Sequence, residues 1–137
     1  MKKLLFLCLS FLVLTGCGND DDRAVASSPI AGSWKLTTYT NDGEPDILND
    51  CEKNSTITFR DEPKSFTVVD YGYAQNVCTL SSFDGTWVKT AANAYTITTQ
   101  AGSQDLEITV SGNILTLSFN DGTEANPYYT VSTYTKI

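Results

Sequence analysis

Leu106-Glu107-Ile108-Thr109-Val110-Ser111-Gly112-Asn113-Ile114-Leu115-Thr116-Leu117-Ser118-Phe119 decides the fold. Leu106, Ile108 and Val110 alternate with Glu107 and Thr109, and Leu115, Leu117 and Phe119 alternate with Thr116 and Ser118. A period of two puts the apolar side chains on one face of an extended chain, so each half reads as a strand with one buried and one wet face. Ser111-Gly112-Asn113 between the halves is a tight hairpin connection. Farther on, Asn120-Asp121-Gly122 carries residue types that tolerate positive φ, again a turn between antiparallel strands.

Outward from this hairpin the same grammar repeats. From Ile30 onward there is no helical periodicity of useful length, and strands are predicted near 32–40, 55–60, 65–71, 84–90, 94–99, 104–110, 113–119 and 127–136. Left open, such a sheet exposes two edges, and closure removes both. The prediction is therefore an all-β domain over residues 30–137, an eight-stranded antiparallel up-and-down barrel. Asn41 to Asn54 is expected to loop over one mouth, with a helical turn around Asp46 to Glu52.

The expected inward face comprises Trp34, Leu36, Ile57, Phe59, Phe66, Val68, Trp87, Tyr95, Ile97, Leu106, Ile108, Leu115, Leu117, Phe119, Tyr129 and Val131. An eight-stranded barrel is wide enough either to be filled by its own side chains or to hold one small ligand. Two large residues per short strand point toward filling. A pocket, where one exists, belongs at the mouth opposite Trp34.

Composition excludes several function classes. Nine basic against sixteen acidic residues give a net charge of −7, the wrong sign for gripping nucleic-acid phosphates or lying on an anionic membrane by charge. The chain has no histidine. A Ser-His-Asp or Cys-His site and a histidine-ligated metal centre are thus unavailable. Asp61-Glu62 and the Asp121/Glu124 pair lie in turns with no reason to acquire a shifted pKa. No enzyme activity, catalytic residue, cofactor or metal is expected. Asn41-Asp42-Gly43-Glu44-Pro45-Asp46 is oxygen-rich, but it lacks calcium-loop spacing and contains a proline.

The N-terminus carries address information. Met1-Lys2-Lys3 precedes the apolar run Leu4 to Leu14, too short to span a bilayer as a helix, which reads as a secretory signal over residues 1–16. Leu14-Thr15-Gly16-Cys17 matches the bacterial lipobox, which makes Cys17 the acylated (palmitate-type) N-terminus of the mature chain. Removing Lys2 and Lys3 takes the charge from −7 to −9. Acyl chains contribute about 0.8 kcal/mol per buried methylene, so two or three anchor a protein without any spanning helix. The polar stretch up to residue 29 is read as a tether of roughly 18 Å end to end. Its acidic run, Asp20-Asp21-Asp22, resembles the export signal of surface lipoproteins in Bacteroidetes-type bacteria, and it equally fits a solvated linker. The expected location is the bacterial cell envelope, as an outer-membrane lipoprotein reaching the cell surface if that signal operates.

Four cysteines are present. Cys8 leaves with the signal and Cys17 takes lipid, which isolates Cys51 and Cys78. In an oxidising compartment this pair suggests one disulfide. A hairpin turning at Arg60-Asp61-Glu62-Pro63-Lys64 brings both to the same end, and closing a loop of this size is worth about 3.5 kcal/mol in the chain-entropy model.

Gly32-Ser33-Trp34, with Ile30-Ala31 before it and Lys35-Leu36 after, resembles the Gly-x-Trp signature of lipocalins, in which the tryptophan plugs the closed end of the barrel. The order Trp34, Cys51, Cys78, Gly85-Thr86-Trp87 and the aromatic last strand with Tyr128, Tyr129 and Tyr134 is similar to the lipocalin-like domains of bacterial surface lipoproteins. Full lipocalins place an arginine from the last strand over that tryptophan, and Lys136 is the nearest basic residue here. Val69-Asp70-Tyr71 resembles a second lipocalin motif but lies too early in the chain. The likeness spans Ile30 to Ile137.

The resemblance implies a lipid-anchored carrier of a small hydrophobic ligand. Candidate ligand contacts are Trp34, Tyr71, Tyr73, Trp87, Tyr95 and Tyr129, with Tyr71, Gly72 and Tyr73 in a loop-like stretch before Cys78. Rim packing beneath the cysteine pair is the plainer role for that stretch. The rival reading is a protein-interaction module, an inhibitor or assembly partner, built on a filled barrel.

Overall fold

A computed structural model describes residues 26–137. The signal sequence, Cys8, the lipobox with Cys17 and most of the acidic tether lie outside the described residues. Nine strands run β1 (Gly32–Asn41), β2 (Glu44–Asp46), β3 (Thr56–Arg60), β4 (Ser65–Ala74), β5 (Val77–Lys89), β6 (Ala94–Thr99), β7 (Gly102–Ser111), β8 (Ile114–Asn120) and β9 (Tyr129–Lys136). All pairings are antiparallel between neighbours, and β1 also pairs with β9, which closes the sheet. The three-residue β2 hangs on the end of β1, so eight strands form the barrel. Among the described residues the only helical element is a 3-10 turn, Glu52–Asn54, and no helix is long and apolar enough to cross a membrane.

Strand β1 serves two neighbours at once. Gly32 to Lys35 pair with β3, and Trp34 to Asn41 pair with β9, with a bulge between Leu36 and Thr38. One extra residue reverses the in-out alternation beyond it. Trp34 and Leu36 therefore point inward before the bulge, and Tyr39, which lines the interior cavities, points inward after it.

The closed end is solid. Ile30, Trp34, Trp87, Tyr95, Ile108 and Leu115 are all buried there. Trp34 donates its indole N–H to the Ile30 carbonyl at 2.9 Å, and Trp87 donates to the Arg60 carbonyl at 3.0 Å, so neither ring is buried with an orphaned donor. Three lysines cap this layer over aromatic faces: Lys136 lies 5.2 Å from the Trp34 ring centroid, Lys64 5.3 Å from Trp87 and Lys89 5.7 Å from Tyr95. Lys136 thus occupies the place over the tryptophan that the sequence assigned to it as nearest basic residue.

Several expectations need correction. The stretch Tyr71-Gly72-Tyr73 is not a loop: β4 continues to Ala74 and β5 begins at Val77, so a long hairpin turns at Gln75 and Asn76, with φ of 52° and 66°. Asn41 to Asp46 is a tight hairpin as well, its turn residues Asp42 and Gly43 both at positive φ. The helical turn falls at Glu52–Asn54 and begins later than Asp46. On β9 the alternation is the reverse of that expected. Leu115 opposes Tyr134, Leu117 opposes Ser132 and Phe119 opposes Thr130. Directly paired residues share a face, so Thr130, Ser132 and Tyr134 turn inward, while Tyr129 is 48% exposed. The buried Thr130 is satisfied by donating to the Asp121 carboxylate at 2.8 Å.

Cys51 and Cys78 are disulfide-bonded, with Cα atoms 5.7 Å apart. Asn49 supports the loop around Cys51, its side-chain oxygen accepting the Cys51 and Glu52 backbone N–H groups at 2.9 and 3.0 Å. The bridge therefore ties the loop after β2 to the tall β4–β5 hairpin at the open end.

Gly85 lies directly opposite Phe66, whose ring crosses it. A Cβ at Gly85 would sit 2.5 Å from both Phe66 Cε1 and the Thr98 carbonyl oxygen. Gly85→Ala is expected to lower the unfolding free energy by about 1–3 kcal/mol through overpacking, read as a drop in the urea midpoint at constant slope. An unchanged midpoint would show that Phe66 and the β5–β6 crossing can give way.

Candidate binding cavity

Above the solid layer the barrel is hollow. A cavity of ≈ 1030 Å³ opens at the end opposite Trp34, near the upper limit of sizes that hold a drug-sized molecule. The expectation of a filled barrel is thereby corrected. The indoles and Tyr95 fill the closed end, and the inward positions higher up include Val68, Asp70 and Ser132, shorter side chains that leave space between the walls.

Uneven strand lengths shape the mouth. β5 pairs with β4 from Thr86 to Val77, but with β6 only through Thr86 to Lys89. The β4–β5 hairpin therefore stands above the short β6–β7 turn at Gln100 and Ala101, and both border the opening. Phe83, on the free part of β5, is 46% exposed although its ring meets Phe66 edge-on at 6.2 Å. It sits at the rim with its apolar face toward the cavity.

Apolar and polar linings are separated. Ile57, Phe59, Phe66, Leu106 and Leu117 form the floor. Tyr39, Asp70, Ser132 and Tyr134 form a polar patch shared with a smaller cavity of ≈ 290 Å³ beneath the disulfide-tied loop. The Ser55 hydroxyl donates to Asp70 Oδ1 at 3.0 Å and accepts the Tyr71 backbone N–H at 2.9 Å, which fixes the carboxylate on the cavity wall. Burial pushes the Tyr134 phenol up to about 12. A hydrogen bond with Ser132 opposes that shift, and the nearby Asp70 and Tyr39 add to it. Tyr134 consequently stays a neutral hydroxyl throughout the physiological range.

Of the six aromatics singled out from the sequence, Trp34, Trp87 and Tyr95 lie in the solid layer below the cavity, and Tyr71 borders the smaller cavity. Tyr73 and Tyr129 are exposed and border neither. The residues that form the polar patch were not foreseen. Asp70 and Tyr134 carried a signal, a lone acid and a tyrosine at alternating positions on strands, but only the pairing register shows that both point inward. Among the described residues no group of acids and cysteines is arranged to hold a metal ion.

A family model described as a lipocalin-like domain matches residues 30–110. No curated protein matches in sequence. Among solved structures the barrel is similar to the bovine lipocalin allergen Bos d 2, with a TM-score of 0.51 at 18% identity over 80% of this chain and 73% of that one. It is also similar to the odorant-binding protein from bovine nasal mucosa, with a TM-score of 0.51 at 13% identity over 80% and 72% of the two chains. The bovine odorant-binding protein in complex with undecanal aligns with the same values. At these identities the likeness is one of fold.

The Tyr134 shift has a stability consequence. Its folded pKa lies above the ordinary 10, so the stabilisation it brings is complete below pH 10 and is lost as pH rises toward 12. Wild type is expected to lose on the order of 1–3 kcal/mol more than Tyr134→Phe across that window, measured as the difference between their urea-unfolding free energies at each pH. Parallel curves would contradict the burial of this phenol.

Proposed function

The chain belongs to the lipocalin-like domain family, and from that premise we propose that it is a non-enzymatic carrier of a small, largely apolar molecule, anchored by lipid to a bacterial envelope. The observation that supports the reading best is the ≈ 1030 Å³ cavity with its apolar floor. Such a space loses dispersion contacts while empty and regains them when an apolar body enters. The bovine odorant-binding protein solved with undecanal is consistent with this use of the fold. The rival reading as an interaction module relied on a filled interior, and loses that support.

The anchor rests on the sequence: a short apolar run, the Leu14-Thr15-Gly16-Cys17 lipobox and the polar stretch up to residue 29. In this reading residues 1–16 are removed, Cys17 carries the acyl chains, and residues 30–137 form the carrier at the outer membrane, exposed at the surface if Asp20-Asp21-Asp22 acts as an export signal. The tether joins the barrel at the closed, Trp34 end, and the mouth lies at the far pole.

Mass spectrometry of the protein made in its own host tests both halves. The intact chain is expected to begin at Cys17 with added acyl mass, and a soluble Cys17→Ser form is expected to retain a small molecule under native conditions or to bind the neutral dye Nile red. A chain that keeps residues before Cys17 and carries no lipid would overturn the anchor. A Cys17→Ser form that is empty in repeated preparations and leaves the dye unbound would overturn the carrier.

A further inference from the structure

We propose that the cavity selects an amphipathic ligand whose head is a protonated amine and whose body is an apolar chain or ring; this rests on the carrier reading above. The charge distribution points there. Every charged residue bordering the two cavities is acidic: Asp70 faces both, Asp46 and Glu52 border the smaller, and Asp84, at the edge of the larger, turns its carboxylate to Thr67 on the outer face. None of the described lysines or arginines lines either one. Lys64, Lys89 and Lys136 are held at the opposite pole by the aromatic rings of the closed end. The acids that face the cavities therefore have no basic side chain beside them in the lining.

Asp70 is the charged residue common to both cavities. Ser55 occupies its Oδ1, and among the described residues no group donates to its Oδ2. An ammonium entering above the apolar floor meets that free carboxylate oxygen, the Tyr39 and Tyr134 hydroxyls as acceptors, and the Tyr39 and Phe83 rings, whose π faces favour cations. A fatty acid bound in the same pose would bring its carboxylate beside Asp70 with no basic partner in reach. A neutral alcohol gains a hydrogen bond but no charge assistance.

The test is displacement of Nile red at neutral pH by dodecylamine, dodecanol and dodecanoate, each below its aggregation concentration. The amine is expected to bind about tenfold or more tightly than the alcohol, as one charge-assisted hydrogen bond allows, and the carboxylate most weakly. Asp70→Asn, which can still accept from Ser55, is expected to bring amine and alcohol to near-equal affinity, whereas Glu107→Gln, an exposed acid on the outer face of β7, leaves the preference intact. If dodecanol or dodecanoate binds as well as the amine, the head-group assignment is overturned while the carrier reading stands. A preference that survives Asp70→Asn, or falls equally with Glu107→Gln, reduces it to diffuse attraction by an acidic protein and overturns the site. If Nile red and all three ligands fail to bind, the carrier reading fails, and this inference with it.

Discussion

The pairing of β1 with β9 is the constraint on which the rest depends. Without it the sheet has two unpaired edges and no interior. With it, inward side chains from all eight strands face one another across a common axis. The bulge at Leu36–Thr38 lets one strand do both jobs: it plugs the closed end with Trp34 and then turns Tyr39 toward the cavity. A regular β1 in the same register would turn Thr38 inward and Tyr39 out to solvent.

That closure sorts the interior by height. At the closed pole, indoles and a tyrosine fill the bore, and lysines over their faces exclude water while keeping their own charges hydrated at the surface. Halfway up, aliphatic and phenyl groups form a floor that faces the cavity. At the open pole the wall becomes polar and acidic, and the Cys51–Cys78 bridge holds the loop after β2 against the tall β4–β5 hairpin. A rigid plug, an apolar chamber and a polarised rim thus arise from one change in side-chain character along the axis.

Much of this was legible in the sequence, and the exceptions have physical reasons. The β7–β8 hairpin announced itself because apolar residues fall on one face and Gly112 marks the turn. Cys51 and Cys78 could be paired because the hairpin between them returns the chain to one end. The β4–β5 turn was missed because Gln75-Asn76 adopts positive φ without a glycine, while the nearby Gly72 sits inside a strand. On β9 the apolar residues Tyr129 and Val131 advertise the wrong face. Its inward side is Thr130, Ser132 and Tyr134, polar groups that face a cavity or find internal partners, so hydrophobic alternation carries no information there. The candidate site was the least legible part for the same reason: a cavity is made by the space left between side chains of all eight barrel strands, which no single strand records.

Amide hydrogen exchange resolved by residue tests the closure most directly. The account predicts that the hydrogen-bonded amides joining β1 to β9 exchange as slowly as those joining β7 to β8, because both lie in one continuous cylinder that opens only by global unfolding. Exchange along the β1–β9 seam that is orders of magnitude faster, with β7–β8 still protected, would mean an open sheet and would contradict the account.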